Sequence, residues 1–201
     1  MSYLDRILDD GTDRESWGRS RWPIIGASDA AKCAKASSVE LYLRAKLRRD
    51  DFHGNEYTES GHRWEPMMLA WAGIPQNVAL FHAPDEPGHG ATPDGILVLP
   101  NGRLRLAECK AKHGRIVDGP SLAEWRQLAW QFRVFPEADE IAFLWVELVD
   151  GRMRTDEPKQ LVIPRDHPKI TELTASVLPI ATELLARLRV ALEAQKELES
   201  A

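Results

Sequence analysis

Cysteine is nearly absent from this chain of 201 residues: Cys33 and Cys109 are the two that occur. Two thiols so far apart support neither a disulfide framework nor a zinc site. Long apolar runs are missing as well, so no bilayer-crossing segment is expected, and the N-terminus lacks the basic-then-apolar layout of a secretory signal. A cytoplasmic protein is the expectation. Positive charge is not in excess either, since 26 Lys and Arg stand against 31 Asp and Glu for a formal net charge of −5. That balance argues against indiscriminate binding to nucleic acid. Repeats and flexible linkers are also lacking. With 43% apolar content, the expectation is a single α/β domain over 1–201 with a true core.

The cations that are present cluster: Arg14, Arg19 and Arg21; Arg44, Lys46, Arg48 and Arg49; Lys110, Lys112 and Arg115. Part of the acidic excess is C-terminal, at Glu193, Glu197 and Glu199. An acidic exterior around a basic channel suits an enzyme that encloses its substrate, and an ordinary mixed-charge surface suits the pattern equally well.

Three short stretches carry most of the chemistry: Gly61-His62-Arg63-Trp64-Glu65-Pro66, Thr92-Pro93-Asp94-Gly95 and Glu108-Cys109-Lys110. Segments 96–99 and 103–109 are β-prone, with Pro100-Asn101-Gly102 between them. Pro suits the first turn position, Asn the bridge region and Gly the left-handed bulge, so a three-residue loop is expected. Leu99 then faces Arg103, and counting back sets Asp94 opposite Glu108. Opposed side chains share a face, and so do Glu108 and Lys110, two apart on one strand. Two carboxylates and an ammonium should therefore converge.

Two carboxylates so close repel unless a cation lies between them, and hard oxygen donors without thiolate or imidazole suit Mg²⁺ or Mn²⁺. Such an ion polarises a phosphodiester and acidifies the attacking water, and a second ion can stabilise the leaving oxygen. Lys110 would orient or deprotonate that water, or neutralise charge on a phosphorane-like transition state. Cys109 should face the opposite side of the strand, leaving its backbone carbonyl available as a further ligand. A Glu-x-Lys taken alone is most often a surface ion pair. The hairpin register and Thr-Pro-Asp-Gly give it weight.

Elsewhere the pattern sets further expectations. Ser28 should cap a helix running through Ala30, Ala31 and Ala34, and with an Arg before it would offer a phosphate site, although capping alone is the plainer role. Ser38 should cap a helix that buries Val39, Tyr42, Leu43 and Leu47. Around Glu65, the spacing predicts a buried stripe of Trp64, Met67, Met68 and Trp71, with a start or kink at Pro66. Glu65 at its edge needs a partner, either water at a metal, Lys110 or Arg63. A later helix, ended by Pro136, should bury Leu122, Trp125, Leu128, Ala129 and Phe132 and carry Glu124, Gln127 and Gln131 as a polar stripe facing the metal site, the DNA backbone or, as such stripes more often do, water. Then come a buried strand over 140–149, a turn at Asp150-Gly151, a partner strand over 160–163, and a long helix from His167. That helix has Leu173, Val177, Ile180, Leu184 and Leu188 on one side and a kink at Pro179. His82 and His89 read as loop histidines that bond or face solvent, outside the metal set.

In this order the pieces resemble the lambda-type exonucleases, or YqaJ-like viral recombinases, of the PD-(D/E)xK nuclease superfamily. The likeness runs from about Trp17 to the C-terminal helix. It rests on Trp17 with Arg21, Ile25-Gly26-Ala27-Ser28-Asp29, Gly61 with Glu65-Pro66, Gly90-Ala91-Thr92-Pro93-Asp94-Gly95, Glu108-Cys109-Lys110, and Gln127 within 125–131. The resemblance implies a restriction-endonuclease-like core, a central mixed β-sheet flanked by helices. It implies Mg²⁺ on Asp94, Glu108 and the Cys109 carbonyl, with Lys110 assisting the water and Glu65 joining directly or through water. Gln127 would sit beside that centre, with Gln131 as a rival because the family's Gln-x-Gln pair is half present. Arg21 and Ser28 would grip a 5′-phosphate, and Thr92 would contact phosphate. The implied activity is 5′-to-3′ degradation of one strand of duplex DNA to mononucleotides, leaving 3′ overhangs for phage-type recombination. The implied partners are DNA ends, a single-strand annealing protein and two further copies in a trimeric ring. Competing readings are a structure-specific or restriction-type endonuclease on the same scaffold, and a non-catalytic DNA-end-binding protein.

Overall fold

A computed structural model describes residues 2–48 and 56–200; Arg49, one of the clustered cations, lies outside them. Strands β4 (Gly95–Val98) and β5 (Leu104–His113) form the expected hairpin, with Gly95 opposite Ala107 and Val98 opposite Leu104. The turn is of the expected kind. Gly102 N–H donates to the Leu99 carbonyl and Leu99 N–H to the Arg103 carbonyl, both at 2.8 Å. Gly102 has φ +81°, where a side chain would be strained. The ladder stops one residue short of Asp94, whose N–H donates to the Ala107 carbonyl at 3.0 Å.

The sheet is mixed. Strand β6 (Ala138–Val149) pairs in parallel with β5 from Leu104–Ala138 to His113–Leu148, and α5 (Leu122–Val134) makes the crossover that parallel neighbours require. Asp150 and Gly151, both at positive φ, reverse the chain into β7 (Arg152–Met153), a short strand that nothing in the pattern announced. The expected partner strand is β8 (Lys159–Pro164), antiparallel to β6. A second, small sheet joins β1 (Ile7–Asp9), β2 (Leu80–His82) and β3 (Gly90–Ala91). The remaining helices are α1 (Arg14–Arg21), α2 (Ala27–Ala30), α3 (Val39–Leu47), α4 (Glu56–Ala72) and α6 (Pro168–Glu199).

Side-chain alternation along β5 divides the core in two. Leu104 and Leu106 join a large cluster with Trp125, Leu128, Trp130 and Phe143, while Ala107 and Cys109 join a second one with Met68, Leu69 and Leu144. Cys109 thus faces away from Glu108 and Lys110, as expected. Helix α6 lies along α5 and α3 of its own chain and buries Ile170, Leu173, Val177, Leu184, Leu185 and Leu188. Six such side chains contribute on the order of 10 kcal/mol of transfer free energy before entropy is charged against it. Helix α6 continues through Pro179, and α4 continues through Pro66 instead of starting there. No described helix is long and apolar enough to cross a membrane.

Several local expectations need correction. Ser28 is not the cap of α2. Gly26, extended at φ −86°, takes that place, and the Asp29 carboxylate accepts its N–H at 3.0 Å. The helix ends at Ala30 because Lys32 and Cys33 turn tightly onto the Asp29 and Ala30 carbonyls, which carries Cys33 into the core. Ser38 precedes α3 without a side-chain capping bond. Trp71 is 40% exposed and Leu69 takes the buried position instead. The reason is Gly95: a Cβ there would come within 2.9 Å of Leu69 Cδ2 and 2.7 Å of Ile74 Cγ2, so Leu69 packs where β4 has no side chain. Leu122 is also largely exposed.

Arg6 and His89 are among the buried polar residues that the sequence reading did not place in the interior. Arg6, on the 3₁₀ turn Tyr3–Arg6, is 2% exposed; it donates to the carbonyls of His82 and Val134 and pairs with Glu137. His89 is buried edge-on against Trp130, with ring centroids 4.7 Å apart, and neither ring nitrogen has a hydrogen-bond partner among the described residues. Burial, and next the Arg133 guanidinium, push its pKa down to about 4. The folded chain keeps His89 neutral while the unfolded chain binds a proton near about pH 6.5, so its stabilising contribution is complete above that value and is lost as pH falls toward about 4. Urea midpoints measured between about pH 7 and about pH 5 should fall more steeply for the wild type than for His89→Phe. Equal slopes would refute the assignment.

Candidate active site

Past Ala107, β5 presents Glu108, Lys110 and Lys112 on one face, and α5 lays its polar stripe against them. Ser121 and Glu124 start that helix with a reciprocal capping box: Ser121 N–H donates to Glu124 Oε2 at 2.7 Å, and Glu124 N–H to Ser121 Oγ. One turn on, Gln127 Nε2 donates to Glu108 Oε1 at 2.5 Å, and a further turn on, Gln131 Nε2 donates to Glu108 Oε2. Lys110 Nζ pairs with Glu108 Oε1, and Lys112 with Glu124. The stripe therefore meets the strand and not water. Both rival glutamines engage the same carboxylate.

Asp94 enters from the hairpin. Its Oδ2 accepts the Cys109 N–H at 2.6 Å, the first β5 amide on that side beyond the end of the β4 ladder. Asn77 fixes the approach: its N–H donates to the Asp94 carbonyl and its Nδ2 to the Pro93 carbonyl, both at 2.8 Å. The neighbouring Gln76 donates to Glu65 Oε1 at 3.0 Å, while Arg63, offered as a partner, stacks on Trp64 with its guanidinium carbon 5.5 Å from the ring centre. Gln76-Asn77 thus links the acid of α4 to the acid of the hairpin. Their partners lie 11 to 17 residues away in sequence, and no local pattern marks them.

These groups act on one another electrostatically. Burial raises the Asp94 carboxyl well above the usual range, Glu108 and then Glu65 raise it further, and Lys110 opposes them. For Lys110, burial favours loss of the proton, but the Glu108 and Asp94 carboxylates outweigh it and hold the ammonium charged. Three acids around one ammonium leave excess negative charge in a confined space. A hard divalent cation matches that excess and the all-oxygen donor set. Among the described residues no three His, Cys, Asp or Glu side chains gather as a ligand group, so an ion would rest on Asp94, Glu108, the Cys109 carbonyl and water. Farther along β5, an open cleft of about 430 Å³ is lined by Lys112, His113, Arg115, Ser121 and Glu124.

Arg21 and Ser28 form a second group. The guanidinium donates to Ser28 Oγ, stacks on Trp17 at 5.4 Å, and lies 3.9 Å from Asp29, which in turn pairs with Lys46 at 2.8 Å. The segment is tied to the hairpin approach, since Ile25 N–H donates to the Gly88 carbonyl at 2.8 Å and Gly90 N–H to Ile25 at 3.0 Å. Thr92 Oγ1 is buried with no hydrogen-bond partner among the described residues. The basic clusters are less free than their sequence suggested. Arg19 pairs with Glu15, Arg44 with Glu40, Lys46 with Asp29 and Lys112 with Glu124.

Neither a protein-family profile nor a curated protein matches the sequence. Among solved structures, the crystal structure of an alkaline exonuclease, LHK-Exo from Laribacter hongkongensis, is similar over 92% of this chain and 99% of that one, with a TM-score of 0.65 and 21% identity. The chain has the fold of an alkaline exonuclease. The same enzyme in complex with dAMP gives a TM-score of 0.64 at 20% identity, over 92% of this chain and 99% of that one. The likeness agrees with the expected central mixed sheet and long C-terminal helix.

Proposed function

We propose that the chain is a divalent-metal-dependent deoxyribonuclease that degrades one strand of duplex DNA from its 5′ end. The supporting observation is the meeting of Asp94, Glu108 and Lys110, with Glu65 close enough to raise the Asp94 pKa. Asp94, Glu108 and the Cys109 carbonyl would hold Mg²⁺, or Mn²⁺ in its place, with Glu65 joining through water. When bound, the cation supplies Lewis acidity, polarising the scissile phosphodiester and lowering the pKa of the attacking water. Lys110 orients that water and offsets charge on the phosphorane-like transition state. Gln127 keeps Glu108 turned toward the site. Arg21 and Ser28 take the 5′-phosphate, and the unpartnered Thr92 hydroxyl contacts a phosphate oxygen. This polarity releases mononucleotides and leaves 3′ single strands, the substrate of a single-strand annealing protein in phage-type recombination. The working assembly is a trimeric ring around the duplex in the host cytoplasm.

Timed digestion of a linear duplex, labelled in turn at each 5′ and 3′ terminus, tests this reading in Mg²⁺ and then in Ca²⁺. The 5′ label should leave first, as mononucleotide, in Mg²⁺ alone, and more slowly when the 5′-phosphate has been removed. Covalently closed circular DNA should survive. Cleavage of the circle would favour the endonuclease, and DNA binding without nucleotide release in any metal would favour an inert end-binder.

A further inference from the structure

Gln131 is fully buried on α5 beside Leu128, Phe132 and Val134, all apolar and buried. Its Oε1 has no hydrogen-bond partner among the described residues. An unsatisfied buried acceptor is destabilising, and Leu or Met would fill that space without it. The compensation lies across the seam, where Nε2 donates to Glu108 Oε2. Oε1 of the same carboxylate already accepts from Lys110 Nζ and Gln127 Nε2. A carboxylate offers about four lone-pair sites, so these three donors leave one, on the oxygen that Gln131 holds.

We propose that Gln131 is a positioning residue that locks Glu108 so that this one remaining Oε2 lone pair faces the divalent ion. The inference rests on the metal-dependent reading above. Lys110 and Gln127 both act on Oε1, and with them alone the carboxylate could turn about its own axis and carry Oε2 out of line. Gln131 removes that freedom. It acts on the ion through Glu108 and does not touch substrate.

The test is calorimetric titration of Mn²⁺ into the full chain without DNA, together with thermal melting in chelator, for the wild type and Gln131→Met. The variant loses its own orphan acceptor but strands Glu108 Oε2, so its melting temperature in chelator should stay close to that of the wild type, while it should bind Mn²⁺ about tenfold more weakly. Gln131→Asn keeps the amide but loses the reach, so it should show the same weakening. It also decides the question should Gln131→Met fail to fold. Wild-type Mn²⁺ affinity in either folded variant would overturn the proposal and reduce Gln131 to packing. A wild-type chain that binds no Mn²⁺ would instead defeat the metal-dependent reading, and the role of Gln131 with it, before any variant is compared.

Discussion

Asp94→Asn should lower Mg²⁺-dependent digestion of linear duplex DNA by about a thousandfold or more, and should leave the chain as stable as before or more so. The two effects have one cause. Asp94 is an acid that burial, Glu108 and Glu65 all disfavour in its charged form, so removing its charge relieves repulsion in a metal-free protein. Asn retains an oxygen to accept the Cys109 N–H. Relief of about 1 kcal/mol corresponds to a rise of about 2–4 °C in melting temperature for a chain of this size. Melting in chelator and nuclease assays on the same preparation check both halves. Full activity would remove the mechanism, and a large drop in melting temperature would show that Asp94 is chiefly structural. Lys110→Ala should abolish activity with the opposite effect on stability, since its ammonium is the charge that balances the acids.

Arg6→Ala should lower the melting temperature by on the order of 10 °C. Its guanidinium is enclosed and serves the His82 and Val134 carbonyls as well as Glu137. Truncation leaves the Val134 carbonyl buried without its donor beside a cavity, while Glu137, with a side chain 33% exposed, returns to water; a stranded acceptor costs about 1–3 kcal/mol and the cavity adds to it. The residue joins the N-terminal turn to the end of α5, the helix that carries Gln127 and Gln131. A drop of only a degree or two would mean that water replaces the lost donors. Arg6→Met, which fills volume without charge, should recover part of the loss if packing shares the work.

The hairpin was legible because its information is local. Pro100-Asn101-Gly102 sets the turn, the turn sets the register, and the register sets which β5 side chains face together. The same logic exposed the α5 stripe, although spacing alone could not say whether Glu124, Gln127 and Gln131 met water or a strand. What sequence could not supply were partners distant along the chain. Gln76-Asn77 looks like ordinary loop composition until α4 and the hairpin close on it. His89 looks like a loop histidine until Trp130 arrives from α5. The basic clusters looked electropositive because Asp29 and Glu124, which neutralise Lys46 and Lys112, come from other elements. Ser28 and Trp71 failed for a different reason: a glycine, Gly26 in one case and Gly95 in the other, set the local geometry where the better-known cap or apolar residue was expected to do so.

Beyond Ala107, no described strand pairs with β5 on the side where β4 ends. A bare strand edge of that kind is a template for another chain to add to, and proteins guard such edges with charge or by occupying the free amides. Here Asp94 occupies the Cys109 amide and two lysines stand along the same stretch. The charges proposed for hydrolysis would in that way also disfavour edge-to-edge association. A knockout made by exchanging them together for alanine or leucine would be a poor inactive control, because it should associate in solution, whereas Asp94→Asn alone leaves the edge guarded.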